Sequence, residues 1–192
     1  MAAMRGTPER PSGLTVRTGV LSPAEEAALV DRFGSLDFEP VVMRGVASRR
    51  RVRHFGASYD FDARTATATD PLPPYLLELR TRCAALAGER ADSFVEALVT
   101  EYDAGASIGW HKDALVFGSV VLGVSLRSDA VMRFQRRAAG GERRVHEEPL
   151  PRRSAYVLAG AARWSWQHSI PPVEDLRYSV TFRQLAPGRS GG

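Results

Sequence analysis

The sequence predicts a single mainly β (α+β) domain, a jelly roll supported by helices on its N-terminal side, and three observations carry that prediction. The chain has 192 residues, close to the size of one domain. Helical patterns occur at two places, both ahead of residue 88. From Phe94 onward, short runs rich in Val, Leu, Phe and Trp alternate with turn residues, and many short strands in about 90 residues suit a sandwich or barrel.

Taken in order, residues 1–13 are rich in Gly, Pro and charge and read as a flexible tail, as does PGRSGG over 187–192, which leaves 14–186 as the folded domain. Ser22, Pro23 and Glu25 combine a capping hydroxyl, a proline at the first helical position and a glutamate three residues past the cap. Ala27, Ala28, Leu29, Val30 and Phe33 follow, so a helix starts here. A second helix is expected over 73–87, with Leu76, Leu77, Leu79, Cys83 and Leu86 at mostly helical spacing and Gly88 as its stop. Cys83 is then a packing residue. Strands are expected near 94–102, 107–112, 118–126, 130–136, 155–159, 163–168 and 177–185. Trp164 and Trp166 alternate on one of them and are expected in the core.

Hydrophobic residues at 44% and charged residues at 25% are ordinary globular values and exclude a disordered or collagen-like chain. The longest mostly apolar run, 116–126, is broken by Gly and Ser and falls short of the ~20 residues of a spanning helix. The N-terminus lacks an apolar h-region, so a cytoplasmic location is the expectation; a monomer without a membrane partner is expected as well. A single cysteine excludes an internal disulfide and any multi-cysteine metal site, so a metal must use histidine and carboxylate.

The net charge of +4 is unevenly spread. Residues 44–53 carry five arginines and no acid, and 127–153 carry eight against Asp129, Glu142, Glu147 and Glu148. Basic patches on a near-neutral body suit a polyanion, because neutralised phosphates release counterions. The plainer alternative is a solvated arginine-rich face, since only Lys112 of the 26 basic residues is lysine. His146 sits in the second basic stretch and reads as a surface residue.

Residues two apart on a strand share a face, so His111 and Asp113 can converge on one point while Lys112 turns away. His168, beyond an aromatic segment, is the best third partner from a neighbouring strand. Two histidines and a carboxylate with open positions form the facial triad of non-haem Fe(II) oxygenases. Alone, His-x-Asp is a common tripeptide, and both residues could be ordinary polar groups. A second feature lies in RYSVTFR over 177–183. Arg177 and Arg183 share a strand face about 20 Å apart at roughly 3.3 Å per residue, and inward-leaning guanidinium forks could grip a short dicarboxylate such as 2-oxoglutarate. Two solvated arginines on an edge strand are the alternative.

These pieces fall in an order that resembles the AlkB-type Fe(II)- and 2-oxoglutarate-dependent dioxygenases. YDAGASIGWHKD over 102–113, GVSL over 123–126, His168 and the 177–183 segment carry the resemblance, and VRHFGASYDF over 52–61 is similar to the family's nucleotide-recognition lid. The resemblance implies a double-stranded β-helix core over about 94–186 and a lid over about 40–62. It implies that His111, Asp113 and His168 hold Fe(II), that Arg177 pairs with the distal carboxylate of 2-oxoglutarate, that Arg183 lies near its keto-acid end, and that Tyr102 hydrogen-bonds it. It also implies the reaction: O2 and 2-oxoglutarate give succinate and CO2 while an N-alkyl group on a DNA or RNA base is hydroxylated and lost as aldehyde, the chemistry of oxidative DNA repair. The chain departs from the family at Thr100, where Asn is usual, and at Ala114 and Leu115, where acidic residues are common.

A methyl on a base-pairing edge is hidden in a duplex, so the substrate is expected single-stranded or with its base flipped. His54, Phe55 and Tyr59 in the expected lid, and Trp110 beside the ligand, could stack on it, while Arg49, Arg50, Arg51 and Arg53 contact phosphates. Leu115 keeps open a hydroxylase of another substrate, such as a modified tRNA base, a protein or a small metabolite. A non-catalytic jelly-roll module that binds nucleic acid is the remaining alternative.

Overall fold

The computed structural model of the protein describes residues 6–43, 46–60 and 65–186, with the backbone alone at 43, 46, 47, 58–60 and 65–67. The strands are β1 (Thr7–Pro8), β2 (Leu14–Arg17), β3 (Glu39–Met43), β4 (Val46–Phe55), β5 (Ala57–Asp60), β6 (Thr65–Ala68), β7 (Phe94–Tyr102), β8 (Ile108–His111), β9 (Phe117–Leu126), β10 (Ala130–Arg137), β11 (Arg143–Leu150), β12 (Ser154–Leu158), β13 (Gln167–Ile170) and β14 (Arg177–Leu185). The helices are α1 (Pro23–Gly34), α2 (Pro74–Ala87) and the single turn α3 (Gly160–Trp164).

Two sheets face each other, as the sequence predicts for a jelly roll. The larger runs β2-β12-β9-β14-β7-β4-β3 and the smaller β1-β11-β10-β13-β8, with β5 and β6 forming a separate ribbon. Alternation along β14 divides the interior. Tyr178, Val180 and Phe182 point to the helices and pack with Phe33 of α1 and Leu76, Leu79 and Cys83 of α2. Arg177, Ser179, Thr181 and Arg183 point into the space between the sheets, where Tyr102, Phe134, Tyr156 and Trp166 lie. Burial pushes the Cys83 thiol up to about 12, in keeping with its packing role. Gly123 is required here: a Cβ at this position would sit 2.0 Å from the Tyr156 ring, which crosses over it.

The first helix starts as predicted, with Ser22 Oγ accepting from Glu25 N–H and the Glu25 carboxylate accepting from Ser22 N–H at 2.7 Å. Gly88 ends α2 in the left-handed conformation. The next residue of α1, Glu26, is buried, with its carboxylate taking the Arg127 amide at 2.9 Å and the guanidinium groups of Arg152 and Arg153. Arg127 and Arg153 both have positive φ, so this one carboxylate holds two strained corners and the helix together.

Several expectations are corrected. Residues 6–13 are not a loose tail: β1 pairs in parallel with Arg144 and Val145, and Gly13 O accepts from Ala159 N–H at 3.0 Å. The expected tail 187–192 lies outside the described residues. The strand expected over 163–168 begins as α3 and becomes strand only at Gln167. Trp166 is buried, whereas Trp164 is 41% exposed, because the helical turn breaks the alternation that put both indoles on one face. The basic segment 143–150 is a strand, and His146 bonds Glu148 at 2.7 Å on the same sheet face as Phe134 and His168. The β4 part of the expected lid is hydrogen-bonded to β7 as part of the larger sheet. Among the described residues no helix is long and apolar enough to cross a membrane.

Candidate active site

Adjacent strands of the smaller sheet bring the two histidines together. His111 on β8 is the register partner of His168 on β13, and their ring centroids are 4.3 Å apart. Asp113 lies just past the end of β8, buried, with its Oδ2 3.7 Å from His168 Nε2. Among the described residues no three His, Cys, Asp or Glu side chains stand close enough to hold a metal as they are placed, while His168 touches both His111 and Asp113.

Their protonation suits a divalent cation. His111 Nδ1 sits 2.9 Å from the Gly109 carbonyl, which can only accept, so Nδ1 carries the proton and Nε2 keeps its lone pair. Burial, then the neighbouring His111, pushes the His168 imidazole down to about 3, and burial also lowers His111. Burial opposes ionisation of Asp113, but Arg183 and the two imidazoles outweigh it and hold the carboxyl far below its usual range. Two neutral imidazoles and one carboxylate are the forms in which these groups bind metal. His168 Nδ1 is buried with no hydrogen-bond partner among the described residues.

Across the inter-sheet space, Arg177 is fully buried on β14 opposite Tyr102 of β7. Its Nε donates to Ser125 Oγ at 3.1 Å, and its guanidinium carbon stands 5.0 Å from the Tyr102 ring centroid. Nη1 is buried and has no acceptor among the described residues. A guanidinium nitrogen left so is expensive unless an anion completes it, so the position fits a carboxylate of a small acid. Thr100, in place of the usual Asn, shares this face and is buried.

Arg183 lies beside Asp113. Its Nε donates to Asp113 Oδ1 at 2.9 Å and its Nη1 to Glu96 Oε2 at 3.0 Å, so it is engaged by two carboxylates. Glu96 in turn lies 3.3 Å from His54 Nδ1. The guanidinium therefore fixes one oxygen of Asp113 and leaves the other turned toward His168.

The expected substrate contacts separate by strand alternation. Arg50 and His54 of β4 face the interior with Tyr102 and Leu98, and Arg50 Nη1 reaches Ser107 O at 3.4 Å. Arg51 and Arg53 face the other way and are ion-paired with Glu101 and Asp70, while Arg49 is exposed. His54 is half-buried, with its Nδ1 edge turned to Glu96. Phe55 is buried in the helix-side core and presents no open ring. The Tyr59 side chain lies outside the described residues. Trp110 alternates away from His111, and its ring lies 5.4 Å from the Arg133 guanidinium carbon. Ala114 is half-buried and Leu115 is 67% exposed.

Two residues that the sequence reading missed touch this site. Glu96 was hidden by ordinary strand alternation. Arg163 of α3 is buried and donates to backbone carbonyls of the segment that follows Asp113. An arginine between Ala162 and Trp164 is the only signal it leaves.

Residues 13–183 match the family model described as the 2OG-Fe(II) oxygenase superfamily. Among curated proteins the chain is similar to tRNA (carboxymethyluridine(34)-5-O)-methyltransferase ALKBH8 of Mus musculus, 27% identical over 188 residues that cover 90% of this chain and 26% of that protein. It thus spans about a quarter of that relative's length. Alpha-ketoglutarate-dependent dioxygenase alkB homolog 4 of Homo sapiens is 52% identical over 40 residues, 20% of this chain and 13% of that one. The solved structure of OsALKBH1 superimposes with a TM-score of 0.70 at 15% identity, covering 92% of this chain and 98% of the other, which supports the jelly-roll fold.

Proposed function

The chain belongs to the 2OG-Fe(II) oxygenase superfamily as an AlkB-type dioxygenase, and on that premise we propose that it oxidises an alkyl group on a nucleic-acid base at the site between its sheets. The observation that carries this reading is the juxtaposition of His111, Asp113 and His168 with the buried, incompletely partnered Arg177. His111, Asp113 and His168 are the residues that would hold Fe(II). The bound ion, with O2 and 2-oxoglutarate as the family implies, supplies the oxidising chemistry, with succinate and CO2 as coproducts.

The chain's own groups do the rest. Gly109 fixes the tautomer of His111, so its Nε2 is left unprotonated. Arg183 holds Asp113 through Oδ1 and keeps it ionised. Arg177 takes the distal carboxylate of 2-oxoglutarate on its open Nη1, with Tyr102 beneath it as a second donor. Burial between two sheets excludes water from the oxidised carbon.

For the substrate we propose an N-alkylated base in DNA or RNA, single-stranded or flipped, whose hydroxylated alkyl group leaves as aldehyde. A second reading, a modified base in tRNA, is favoured by the similarity to ALKBH8, whose name places it on carboxymethyluridine of tRNA. Exposed Leu115, at a position where the resembled family often has an acid, agrees with a recognition mode of its own. The test is mass spectrometry of methylated DNA and RNA oligonucleotides and of tRNA hydrolysates after incubation with Fe(II), ascorbate and 2-oxoglutarate. Loss of the methyl group in step with succinate supports demethylation. Added oxygen on a tRNA nucleoside with the alkyl group retained supports the second reading, and succinate without change in any nucleic acid contradicts both.

A further inference from the structure

The one-turn helix α3 carries a buried cation that the reaction itself does not use. Arg163 is 2% exposed. Its Nε donates to Gly118 O at 3.1 Å, Nη1 to Asp113 O at 3.2 Å, and Nη2 to Ala114 O at 2.9 Å and Phe117 O at 3.1 Å. All four acceptors are main-chain carbonyls within residues 113–118, the segment that leaves β8 and enters β9. Residues 112–116 belong to neither strand.

We propose that Arg163 is a positioning residue that sets the main chain at Asp113 relative to His168, an inference that rests on the reading of these two residues as metal ligands. Arg163 stands five residues ahead of His168 in the chain, so a single side chain joins the segment bearing one ligand to the segment bearing another. Two further contacts reinforce the joint. Lys112 Nζ donates to Trp164 O at 2.9 Å, and the Trp164 ring centroid lies 4.1 Å from the Arg163 guanidinium carbon, covering it from solvent. That contact also accounts for an exposed tryptophan at this corner.

The energetics favour a specific purpose. Burying a guanidinium costs several kcal/mol before its hydrogen bonds are counted, and a loop needing only a stop could use a neutral side chain. Five fixed donors in one plane can bind several carbonyls at once in a way lysine cannot. Arg183 orients the Asp113 carboxylate, while Arg163 fixes the backbone from which that carboxylate projects. Ligand geometry thus has two independent supports, the arrangement that pre-organises a metal site.

The test is anaerobic Mn(II) titration, followed by EPR of the free ion, on the full chain and on Arg163→Gln, Arg163→Lys and Arg80→Gln, each checked by circular dichroism. Arg80 is the control, since it donates to Phe94 O at 2.9 Å, away from the proposed ligands. The expected result is an Mn(II) dissociation constant raised about 10–100-fold in Arg163→Gln, partly recovered in Arg163→Lys, and unchanged in Arg80→Gln. A folded Arg163→Gln protein that binds Mn(II) within about twofold of the parent overturns the proposal, because loss of an outer support should exceed that. Should Arg163→Gln fail to fold, Arg163→Lys is read against the same limit. Absence of Mn(II) binding in the parent overturns the metal site itself, whereas normal binding in the parent and all variants removes only the role of Arg163.

Discussion

Arg183 donates from Nε to Asp113 Oδ1 at 2.9 Å while its Nη1 donates to Glu96 Oε2 at 3.0 Å. One guanidinium thus serves two buried carboxylates, and the balance among the three charges is a property of the folded state. Burial by itself would lower the Arg183 pKa, but Glu96 and Asp113 raise it well above the ordinary value. Replacing it with methionine leaves two uncompensated buried anions. Arg183→Met is expected to lose about 3–5 kcal/mol of stability, the range for a broken buried ion pair, measured by urea unfolding of the metal-free protein. Adding Glu96→Gln should recover part of that loss.

The metal-free protein should weaken in mild acid. His168 stays neutral in the folded state down to about pH 3, whereas in the unfolded chain it takes up a proton near its ordinary value of 6.5. Between those two values the unfolded state binds more protons, so stability falls as pH falls, and above the upper value the contribution is flat. His168→Gln should flatten the slope of unfolding free energy between about pH 6 and pH 4 by up to about 1.4 kcal/mol per pH unit. Urea unfolding at a series of pH values measures both slopes.

Arg177→Ala should raise the KM for 2-oxoglutarate by about 10–100-fold, the equivalent of one charged hydrogen-bonding interaction, with a smaller effect on kcat. Binding of an oligonucleotide to the same variant, measured by titration, should stay close to that of the parent.

Much of this site can be read in the chain, and the reasons for the remainder are physical. His111 and Asp113 stand out by spacing, and Arg177 and Arg183 by strand alternation. What alternation could not reveal is which partner Arg183 meets, because Glu96 and Asp113 reach it from segments 87 and 70 residues away. The same rule applied to β4 separates inward Arg50 and His54 from outward Arg51 and Arg53, a division masked by the density of like charge in that stretch. Strand β11 was obscured because Arg144, His146 and Glu148 are polar on the face that apolar residues would normally mark. Glu26 reads as a solvated helix position, and only the tertiary approach of Arg152 and Arg153 buries it.

The ion pairs of Arg51 with Glu101 and Arg53 with Asp70 bear on substrate binding. If both arginines leave these partners for phosphates, Arg51→Gln with Arg53→Gln should lower the log–log salt slope of single-strand binding by up to about 1.4. If they remain paired, the slope should hold, and the phosphate contacts lie elsewhere. Filter binding across a salt series separates the two.

The most direct test of the whole account is anaerobic equilibrium dialysis of Fe(II) against the parent and Asp113→Ala in the presence of 2-oxoglutarate. The expected result is one ion per parent chain and an affinity in Asp113→Ala reduced by more than the about 100-fold that losing an outer-shell partner costs. Equal binding by the two proteins would contradict it.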